Sequence, residues 1–360
     1  MKKAAVAVGI TAAVLAAGSL GINGGFGALI ADVQAEGGAA EEETAEERAS
    51  QIDTSVPVQA GSRIAAVSKN VNGEFWDLIR QGMEDAVEDI NTAYGFEGED
   101  VLTMTFEGPN DELKVEEQVN TLDAVIAENP TVLCLSASDM DSLQAQLESA
   151  AENGIPVVVF DSNVSENQLV TAFRGTDNDY VGELAGERMI EALGGTGKIV
   201  VFSAQEKTES AQRRMSGFQK ALEDSDIEIA EIVYMDEVED METAMKETME
   251  AHPDIDGVFC TNADTSDLYL GLEQEEENAP LMIGVDATTK QQEAVKDGRE
   301  YGIVSQDPYE IGYQTILTAA QATDPEFENN GSVEKSVLLE PAWIDASNID
   351  DPRYSNYIYE

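Results

Sequence analysis

The chain contains 360 residues, of which 42% are hydrophobic and only 6% aromatic. This length and composition are typical of a folded α/β protein with two ordinary domains. Its 72 acidic and 20 basic residues give a formal net charge of -52, which disfavours a phosphorylated ligand and predicts no nucleic-acid partner, because nucleic acid and anionic membranes would be repelled.

Residues 1–35 have the pattern of a secretory signal peptide. A basic start and an apolar stretch that runs to Leu20 precede a small-residue cleavage site at Ala35. Because this site lies far beyond the apolar stretch, an uncleaved membrane anchor is the alternative. No cysteine lies near the segment, so the lipobox of a bacterial lipoprotein is excluded. The pattern predicts an exported protein that works outside the cytoplasm.

Two segments that flank the predicted domains have no evident place in a folded core. Residues 36–61 contain few large apolar side chains, so they cannot bury enough surface to offset the entropy of ordering, and we interpret them as an acidic, disordered linker. Residues 350–360 carry Tyr354, Tyr357 and Tyr359 and are interpreted as a tail without an assigned role.

Between these segments the chain alternates between short apolar strands and helices. The alternation begins at Arg63, restarts after Phe173 and reaches the strand GIVS at 302–305. Because such alternation favours parallel strands with right-handed connections, it predicts an α/β fold of two Rossmann-like, doubly wound domains. A later helix and the strand SVLL are too short for a third domain and are expected to return to the two sheets.

Each predicted domain is built from two stretches of chain. The N-terminal domain combines residues 62–176 with residues 307–335. The C-terminal domain combines residues 177–306 with residues 336–349. Several crossings between the domains would form a hinge about which the domains could close.

Four apolar runs end in a carboxylate or an amide. The residues at these strand exits are Asp161, Asn262, Asp286 and Gln306. They are expected at the carboxyl edges of the sheets, where open α/β folds bind ligands. Carboxylates accept strong hydrogen bonds from hydroxyl groups, and amides can both donate and accept. The alternative role of each carboxylate is a helix cap or a hinge bond, but the four exits together predict a site for a neutral, hydroxyl-rich molecule.

The sequence offers little catalytic or metal-binding chemistry. His252 is the sole histidine, and there is no Gly-x-Ser-x-Gly motif or His/Cys cluster, so neither a histidine triad nor a typical zinc centre can be assembled. Cys134 and Cys260 each lie in an apolar strand and are predicted to be free thiols. We expect no cofactor, no metal and no enzymatic activity. An enzyme that uses Asp161 and Asp286 as an acid/base pair is a weak alternative, because nothing orients a nucleophile.

Several motifs carry a resemblance to a known family. They are SKNVNGEFW, VFDSN, GTDNDYVGELAGE, SAQRRMSGFQKAL, AHPDIDGVFCTNAD, IGVDAT and IVSQDPYEIG, in this order. From about Arg63 to about Leu339 the chain resembles type I periplasmic sugar-binding proteins, closest to the ribose-binding branch of the solute-binding proteins of ABC importers. The resemblance implies the type I periplasmic binding protein fold, with three crossovers at the hinge and a monosaccharide or similar polyol clamped between the domains.

The resemblance also implies the ligand-binding residues. These are Asn72, Phe75, Trp76, Asp161, Gln212, Arg213, Arg214, Asn262, Asp286 and Gln306. Two positions depart from the family pattern: Asp161 is followed by Ser162 instead of arginine, and Gln212 stands where the family has its ligand arginine. One of the two following arginines is expected to face the cleft and the other a surface acid. For the aromatic that the second domain usually supplies, Tyr234 is the candidate.

The function implied is capture of the sugar by interdomain closure and its delivery to an ABC transporter permease. The protein is expected to be a monomer. A sensory module that relays a sugar-like signal to a membrane receptor would share the same cleft and remains the alternative.

Overall fold

The computed structural model describes residues 44–165, 167–272, 279–327 and 334–359. The predicted signal peptide at 1–35, the first part of the predicted linker at 36–43 and the last residue of the predicted tail lie outside the described residues. None of the helices within the described ranges has the length and apolar content that a membrane span requires.

The first lobe is a parallel six-stranded sheet with helices on both faces. Its elements are α1 (Ala45–Ala49), β1 (Arg63–Val67), α2 (Glu74–Tyr94), β2 (Thr103–Glu107), α3 (Val115–Ala127), β3 (Val132–Leu135), α4 (Gln144–Glu152), β4 (Val157–Phe160), β5 (Ala172–Thr176), α10 (Pro308–Gln321) and β11 (Ser336–Leu339). The strand order is β11-β5-β4-β3-β1-β2. One face buries apolar residues of α2 and α10, and the other buries those of α3 and α4. Because β3 and β4 are covered on both faces, they read as continuous apolar runs.

The second lobe repeats this plan. Its elements are α5 (Asn178–Leu193), β6 (Thr196–Ser203), α6 (Glu209–Leu222), β7 (Asp226–Tyr234), α7 (Met241–Ala251), β8 (Gly257–Cys260), α8 (Ala263–Leu270), β9 (Leu281–Val285), α9 (Thr289–Asp297), β10 (Gly302–Ser305) and β12 (Ala342–Ile344). The strand order is β12-β10-β9-β8-β6-β7, with β12 antiparallel to β10. The order matches that of the first lobe position by position, so β4 and β9 are equivalent strands.

The chain crosses between the lobes three times: between β5 and α5, between β10 and α10, and between β11 and β12. The domain prediction is wrong for Ser336–Leu339, which it assigned to the second domain. This strand pairs in parallel with β5 of the first sheet, and the chain reaches the second sheet only at Ala342. A four-residue apolar run carries no signal for which of two sheets it joins, which explains the error.

Part of the predicted disordered linker is ordered on the first lobe. Thr44 caps α1 with a reciprocal bond to Glu47, and Nε of Arg48 lies 2.7 Å from Oδ2 of Asp89, a fully buried carboxylate. The backbone N–H of Gln59 donates to the hydroxyl of Thr323. The prediction of disorder is therefore wrong for residues 44–61. These hydrogen bonds, and the ion pair that a buried carboxylate requires, order the segment although it buries little apolar surface.

The predicted tail is also part of the folded body. A 3-10 helix at Pro352–Tyr357 packs beside the second crossing, and the side chain of Tyr359 is fully buried. The two cysteines, Cys134 in β3 and Cys260 in β8, are buried free thiols, as predicted.

Candidate functional site

A cavity of about 220 Å³ lies between the carboxyl edges of the two sheets. It is smaller than the roughly 300–1,000 Å³ pockets of drug-sized ligands, so it suits a ligand of monosaccharide size. Eight of the ten predicted site residues line it: Asn72, Phe75, Trp76, Asp161, Arg214, Asn262, Asp286 and Gln306.

Asp161 and Asp286 occupy equivalent places in the two lobes. Asp161 follows β4 and Asp286 follows β9, the equivalent strands of the two sheets. Both backbones lie in the left-handed region, with φ of 55° for Asp161 and 80° for Asp286. Non-glycine residues rarely adopt this region, and such strain clusters at ligand sites. The two lobes thus present one carboxylate each to the same cavity by the same backbone device.

The carboxylate of Asp161 is held by a buried cation that the sequence analysis missed. Oδ2 of Asp161 lies 3.0 Å from Nζ of Lys69 and accepts a 2.9 Å hydrogen bond from the hydroxyl of Ser136. Burial alone would lower the pKa of Lys69, but attraction to Asp161 and Glu112 outweighs it and raises the pKa, so the ammonium stays charged. Lys69 lies two residues after the end of β1, and its place at a strand exit is the signal that could have identified it.

The aromatic wall of the cavity is fixed by the same charged cluster. The indole N–H of Trp76 donates to Oε1 of Glu112 over 3.1 Å, and Nζ of Lys69 lies 5.6 Å from the centre of the Trp76 ring. Phe75 stands edge-on to Trp76, with ring centroids 5.2 Å apart. Burial is the main cause that raises the pKa of Glu112. Both aromatic residues line the cavity, and together they offer apolar area for the C–H face of a sugar ring.

Three donors hold the carboxylate of Asp286. The backbone N–H of Ala263 donates to Oδ2 over 2.8 Å, while Nε2 of Gln306 and the hydroxyl of Tyr359 donate to Oδ1 over 2.6 and 3.1 Å. An ionised carboxylate has about four acceptor sites, so capacity remains for a ligand hydroxyl. Gln306 is therefore both a wall of the cavity and a support for Asp286.

Arg214 supplies the buried donor of the second lobe. Its Nε donates to Oδ1 of Asn178 over 2.8 Å and an Nη to the carbonyl of Thr261 over 2.7 Å. Helix α6 reaches this depth because Gly182 of α5 and Gly217 of α6 have no side chain. A Cβ on either glycine would lie 2.0 Å from a backbone oxygen of the other helix.

Gln212 and Arg213 do not line the cavity, so their assignment as ligand residues is wrong, and Arg213 is the arginine that faces a surface acid. The amide of Gln212 donates to the carbonyl of Glu206, and Arg213 pairs with Asp179 and Glu209 on the surface. Successive residues of an α-helix point about 100° apart, so only part of the stretch 212–214 can face inward. The helix phase, which the motif alone does not give, selects Arg214.

The two asparagines occupy the rim. Asn262 caps α8, and its Oδ1 accepts hydrogen bonds from the N–H and the hydroxyl of Thr265. The helix-cap alternative was predicted for the strand-exit carboxylates; Asn262, an amide, takes this role while it also lines the cavity. Nδ2 of Asn72 lies 3.5 Å from the carbonyl and side-chain oxygens of Asn110 at the exposed mouth.

The cleft mouth carries further carboxylates that the sequence analysis did not single out. The side chain of Asp264 is partly exposed at the mouth, where desolvation of its carboxylate by the cleft walls and repulsion from Glu112 and Asp286 raise its pKa to about 7. Burial also raises the pKa of Asp267, whose Oδ1 accepts from the hydroxyl of Thr288. This excess of negative charge favours a ligand rich in hydroxyl donors over an anion.

Tyr234 is not the aromatic residue that completes the site. It packs against the core of the second lobe instead. The aromatic that approaches the site from the second lobe's side is Tyr359, whose ring centroid lies 6.1 Å from that of Phe75. No periodicity in the sequence indicates that this tail residue returns to the cleft.

Comparisons with known proteins agree with this geometry. The ribose import binding protein RbsB of Escherichia coli strain K12 is 23% identical over 271 residues, which cover 74% of this chain and 86% of that protein. A solute-binding protein of an ABC transporter from Agrobacterium vitis, solved with bound D-fucose, is 28% identical with a TM-score of 0.73, covering 82% of this chain and 100% of that chain.

A carbohydrate-transporter solute-binding protein from Agrobacterium radiobacter, solved with D-arabinose, is 23% identical with a TM-score of 0.72, covering 82% of this chain and 98% of that one. The resemblance and the fold class predicted from sequence are both confirmed. Residues 64–326 match the family model described as periplasmic binding protein domain. The chain belongs to this family.

Proposed function

We propose that this protein is the sugar-binding component of an ABC importer, which captures a monosaccharide or similar polyol outside the cytoplasm and delivers it to the permease. The observation that carries this proposal is the pair Asp161 and Asp286, which reach one small cavity from equivalent strand exits of two lobes. Each carboxylate keeps acceptor capacity for hydroxyl groups, and Phe75 and Trp76 offer an apolar face. The relative named for ribose import and the two structures solved with D-fucose and D-arabinose support the same ligand class.

Capture works by closure. Contacts already cross between the lobes: Glu74 accepts from the backbone N–H of Thr289 over 2.7 Å, and the backbone N–H of Met140 donates to the carbonyl of Lys207 over 3.0 Å. A ligand bonded to Asp161 and Asp286 gains its full set of contacts only when the lobes are together, so binding favours the closed form. The permease would then recognise the closed form.

We infer that the ligand is released unchanged. Within the described ranges, no group of three or more His, Cys, Asp or Glu side chains is placed to hold a metal ion. The two carboxylates that the lobes present to the cavity are each held by fixed donors, Asp161 by Lys69 and Ser136 and Asp286 by Ala263, Gln306 and Tyr359. Recovery of the bound sugar without product after prolonged incubation would support this inference.

The test is a thermal-shift screen of pentoses, hexoses and polyols, including D-ribose, D-arabinose and D-fucose, followed by calorimetry. A ligand at 100 times its Kd stabilises the folded state by about 2.7 kcal/mol, so one or more sugars should raise the Tm by several degrees with one site per chain. No shift with any sugar or polyol would contradict the proposal.

A charge-matched pair of variants assigns the binding to this cleft. Asp286→Asn should weaken binding of the selected sugar by about 2 kcal/mol, because charge-assisted hydrogen bonds to the ligand are lost. Asp224→Asn removes the same charge from an exposed turn after α6 and should bind as the unmodified protein does. Equal affinity in both variants would place the site elsewhere.

A further inference from the structure

We propose that Tyr359 is a positioning residue for ligand recognition: its phenol fixes Asp286, and its ring supports Phe75 from the other lobe. This inference rests on the proposed function and extends it to the tail, defined here as residues 350–359. The tail leaves the second lobe after β12 and returns to the back of the cavity, where it forms the second layer of the site.

The first observation is the environment of the Tyr359 side chain. It is fully buried, and its hydroxyl donates to Oδ1 of Asp286 over 3.1 Å. Burial and the nearby charge of Asp286 raise the pKa of Tyr359 well above its usual value, so the phenol keeps its proton and acts as a donor. The carboxylate of Asp286 is held in one orientation by three donors, of which the Tyr359 hydroxyl is one.

The second observation is that the backbone of Tyr359 is anchored beside Asp286. Its N–H donates to the carbonyl of Ala287 over 3.3 Å, and its carbonyl accepts from Nε2 of Gln292 over 2.6 Å. These bonds fix the backbone of Tyr359 relative to the loop after β9, and full burial of the ring restricts the phenol. A mobile surface tail would make no such set of contacts.

The third observation is that the ring of Tyr359 bridges the lobes. Its centroid lies 6.1 Å from that of Phe75 in α2 of the first lobe. Tyr359 belongs to one continuous buried apolar cluster that also contains Trp76 of the first lobe and Ile303 and Ile344 of the second. This contact is therefore complete only when the lobes are together, as the ligand contacts are.

The tail also covers the crossings of the hinge. The hydroxyl of Ser305 donates to the carbonyl of Tyr357 over 2.6 Å, and the hydroxyl of Tyr357 donates to the carbonyl of Glu340 over 3.2 Å. Ser305 precedes the second crossing and Glu340 lies in the third. The segment that positions Asp286 is thus tied to the parts of the chain that must bend on closure.

The test compares Tyr359→Phe with Tyr354→Phe, using calorimetry with the sugar of the screened panel that has the lowest Kd. Tyr359→Phe removes one hydroxyl and keeps the ring, so it should raise the Kd about tenfold, as expected for the loss of one hydrogen bond to a charged group. Tyr354→Phe removes a tail hydroxyl that makes no hydrogen bond among the described residues and should leave the Kd unchanged. Native affinity in Tyr359→Phe, or the same loss in both variants, would overturn the proposal.

A third variant tests the ring. Tyr359→Leu removes both the hydroxyl and the contact with Phe75, so its Kd should rise beyond that of Tyr359→Phe. Equal Kd values for the two variants would overturn the part assigned to the ring. If Tyr359→Leu does not fold, Tyr359→Met, which also lacks the ring but has a longer side chain, takes its place in the same comparison with Tyr359→Phe.

Amide hydrogen exchange tests the positioning role of Tyr359 without any ligand. The result therefore does not depend on whether the proposed function is correct. The N–H of Ala263 donates to Asp286, whereas the N–H of Thr265 in the same helix donates to Asn262. Tyr359→Phe should speed exchange at Ala263 and leave exchange at Thr265 unchanged. If the unmodified protein binds no sugar, the proposed function fails, but faster exchange at Ala263 would still support the positioning role of Tyr359. Unchanged exchange at Ala263 in Tyr359→Phe would overturn the positioning role.

Discussion

Lys69 and Asp161 form the ion pair on which the first-lobe half of the site depends. Both side chains are almost fully buried, and their charged atoms are 3.0 Å apart. A buried charge is tolerated when it is paired, but it becomes costly when its partner is removed. The pair therefore fixes the Asp161 carboxylate toward the cavity. Replacing either partner alone is expected to destabilise the fold.

We expect Lys69→Met to destabilise the protein by about 3 kcal/mol, because it leaves the carboxylate of Asp161 buried without its cation. The double variant Lys69→Met/Asp161→Asn should recover part of this loss, since the charge of Asp161 is removed together with its cation and only the more distant Glu112 still lacks Lys69. Urea denaturation of both single variants and the double variant measures these effects. Losses of the two single variants that simply add in the double variant would show that the two residues are not energetically coupled.

Asp307, at the second crossing, is the residue from which we expect a pH-dependent effect on stability. Its Oδ1 caps α10 by accepting the N–H of Glu310 over 3.0 Å, and burial raises its pKa from 3.8 to about 6. Between these two values the folded protein keeps the proton and the unfolded chain has lost it. This group's contribution to stability therefore falls as the pH rises from about 4 to about 6 and stays low above that.

Asp307→Asn keeps a good capping side chain but cannot ionise. It should be more stable than the unmodified protein by about 3 kcal/mol at pH 7, at roughly 1.4 kcal/mol per pKa unit, and the difference should shrink toward zero at pH 4. Urea unfolding at several pH values measures it.

The matched control is Asp240→Asn at the exposed cap of α7. Hydrogen bonds from Thr243 lower the pKa of Asp240, so the charged form stabilises the folded state above about pH 4 and the variant should lose stability at pH 7. A gain in both variants at pH 7 would point to relief of net charge rather than to the burial of Asp307.

At the scale of elements, helix α9 closes the cleft through its N-terminus. Glu74, at the start of α2 in the first lobe, accepts the N–H of Thr289 at the start of α9 in the second. A helix N-terminus carries a partial positive charge and unpaired N–H groups, which favour a carboxylate. This bond between two helix starts crosses the cleft and so belongs to the closed form.

Glu74→Gln should weaken sugar binding by about 0.5–1 kcal/mol, the usual energy of a charge at a helix N-terminus, and most of the change should appear as faster dissociation. Stopped-flow displacement measures this rate. Glu88→Gln removes a charge from the exposed side of the same helix and serves as the control. A dissociation rate that is equal in Glu74→Gln, Glu88→Gln and the unmodified protein would contradict a role for this contact in closure.

The elements that could be predicted from sequence are those with strong periodicity. The buried runs of β4, β8, β9 and β10 identify the strands, and the polar residues after them identify the cavity, because parallel strands end at one edge. The rotational phase of a helix is harder to predict, because the motif around Arg214 does not show which of three neighbouring residues faces inward. That choice depends on how closely α5 approaches α6.

For the whole molecule, the sequence predicts two similar lobes but not how the ends of the chain attach to them. Residues 44–61 dock through Arg48 and Asp89, a pairing across 41 positions that composition cannot reveal. Tyr359 reaches Asp286 from 73 positions away. Such long-range contacts depend on the completed fold. This is why the sequence predicts a separate linker and tail, whereas residues 44–61 and the tail pack on the two lobes.

In the mechanism proposed above, a sugar is clamped between two lobes by contacts available only when the lobes are together. Small-angle X-ray scattering of the protein with and without the selected sugar tests it most directly, with binding confirmed by calorimetry in the same sample and Asp286→Asn as a control. We expect a smaller radius of gyration with saturating sugar, and a smaller change for Asp286→Asn at the same sugar concentration. An unchanged radius in a fully bound sample would contradict the clamp and leave a rigid pocket.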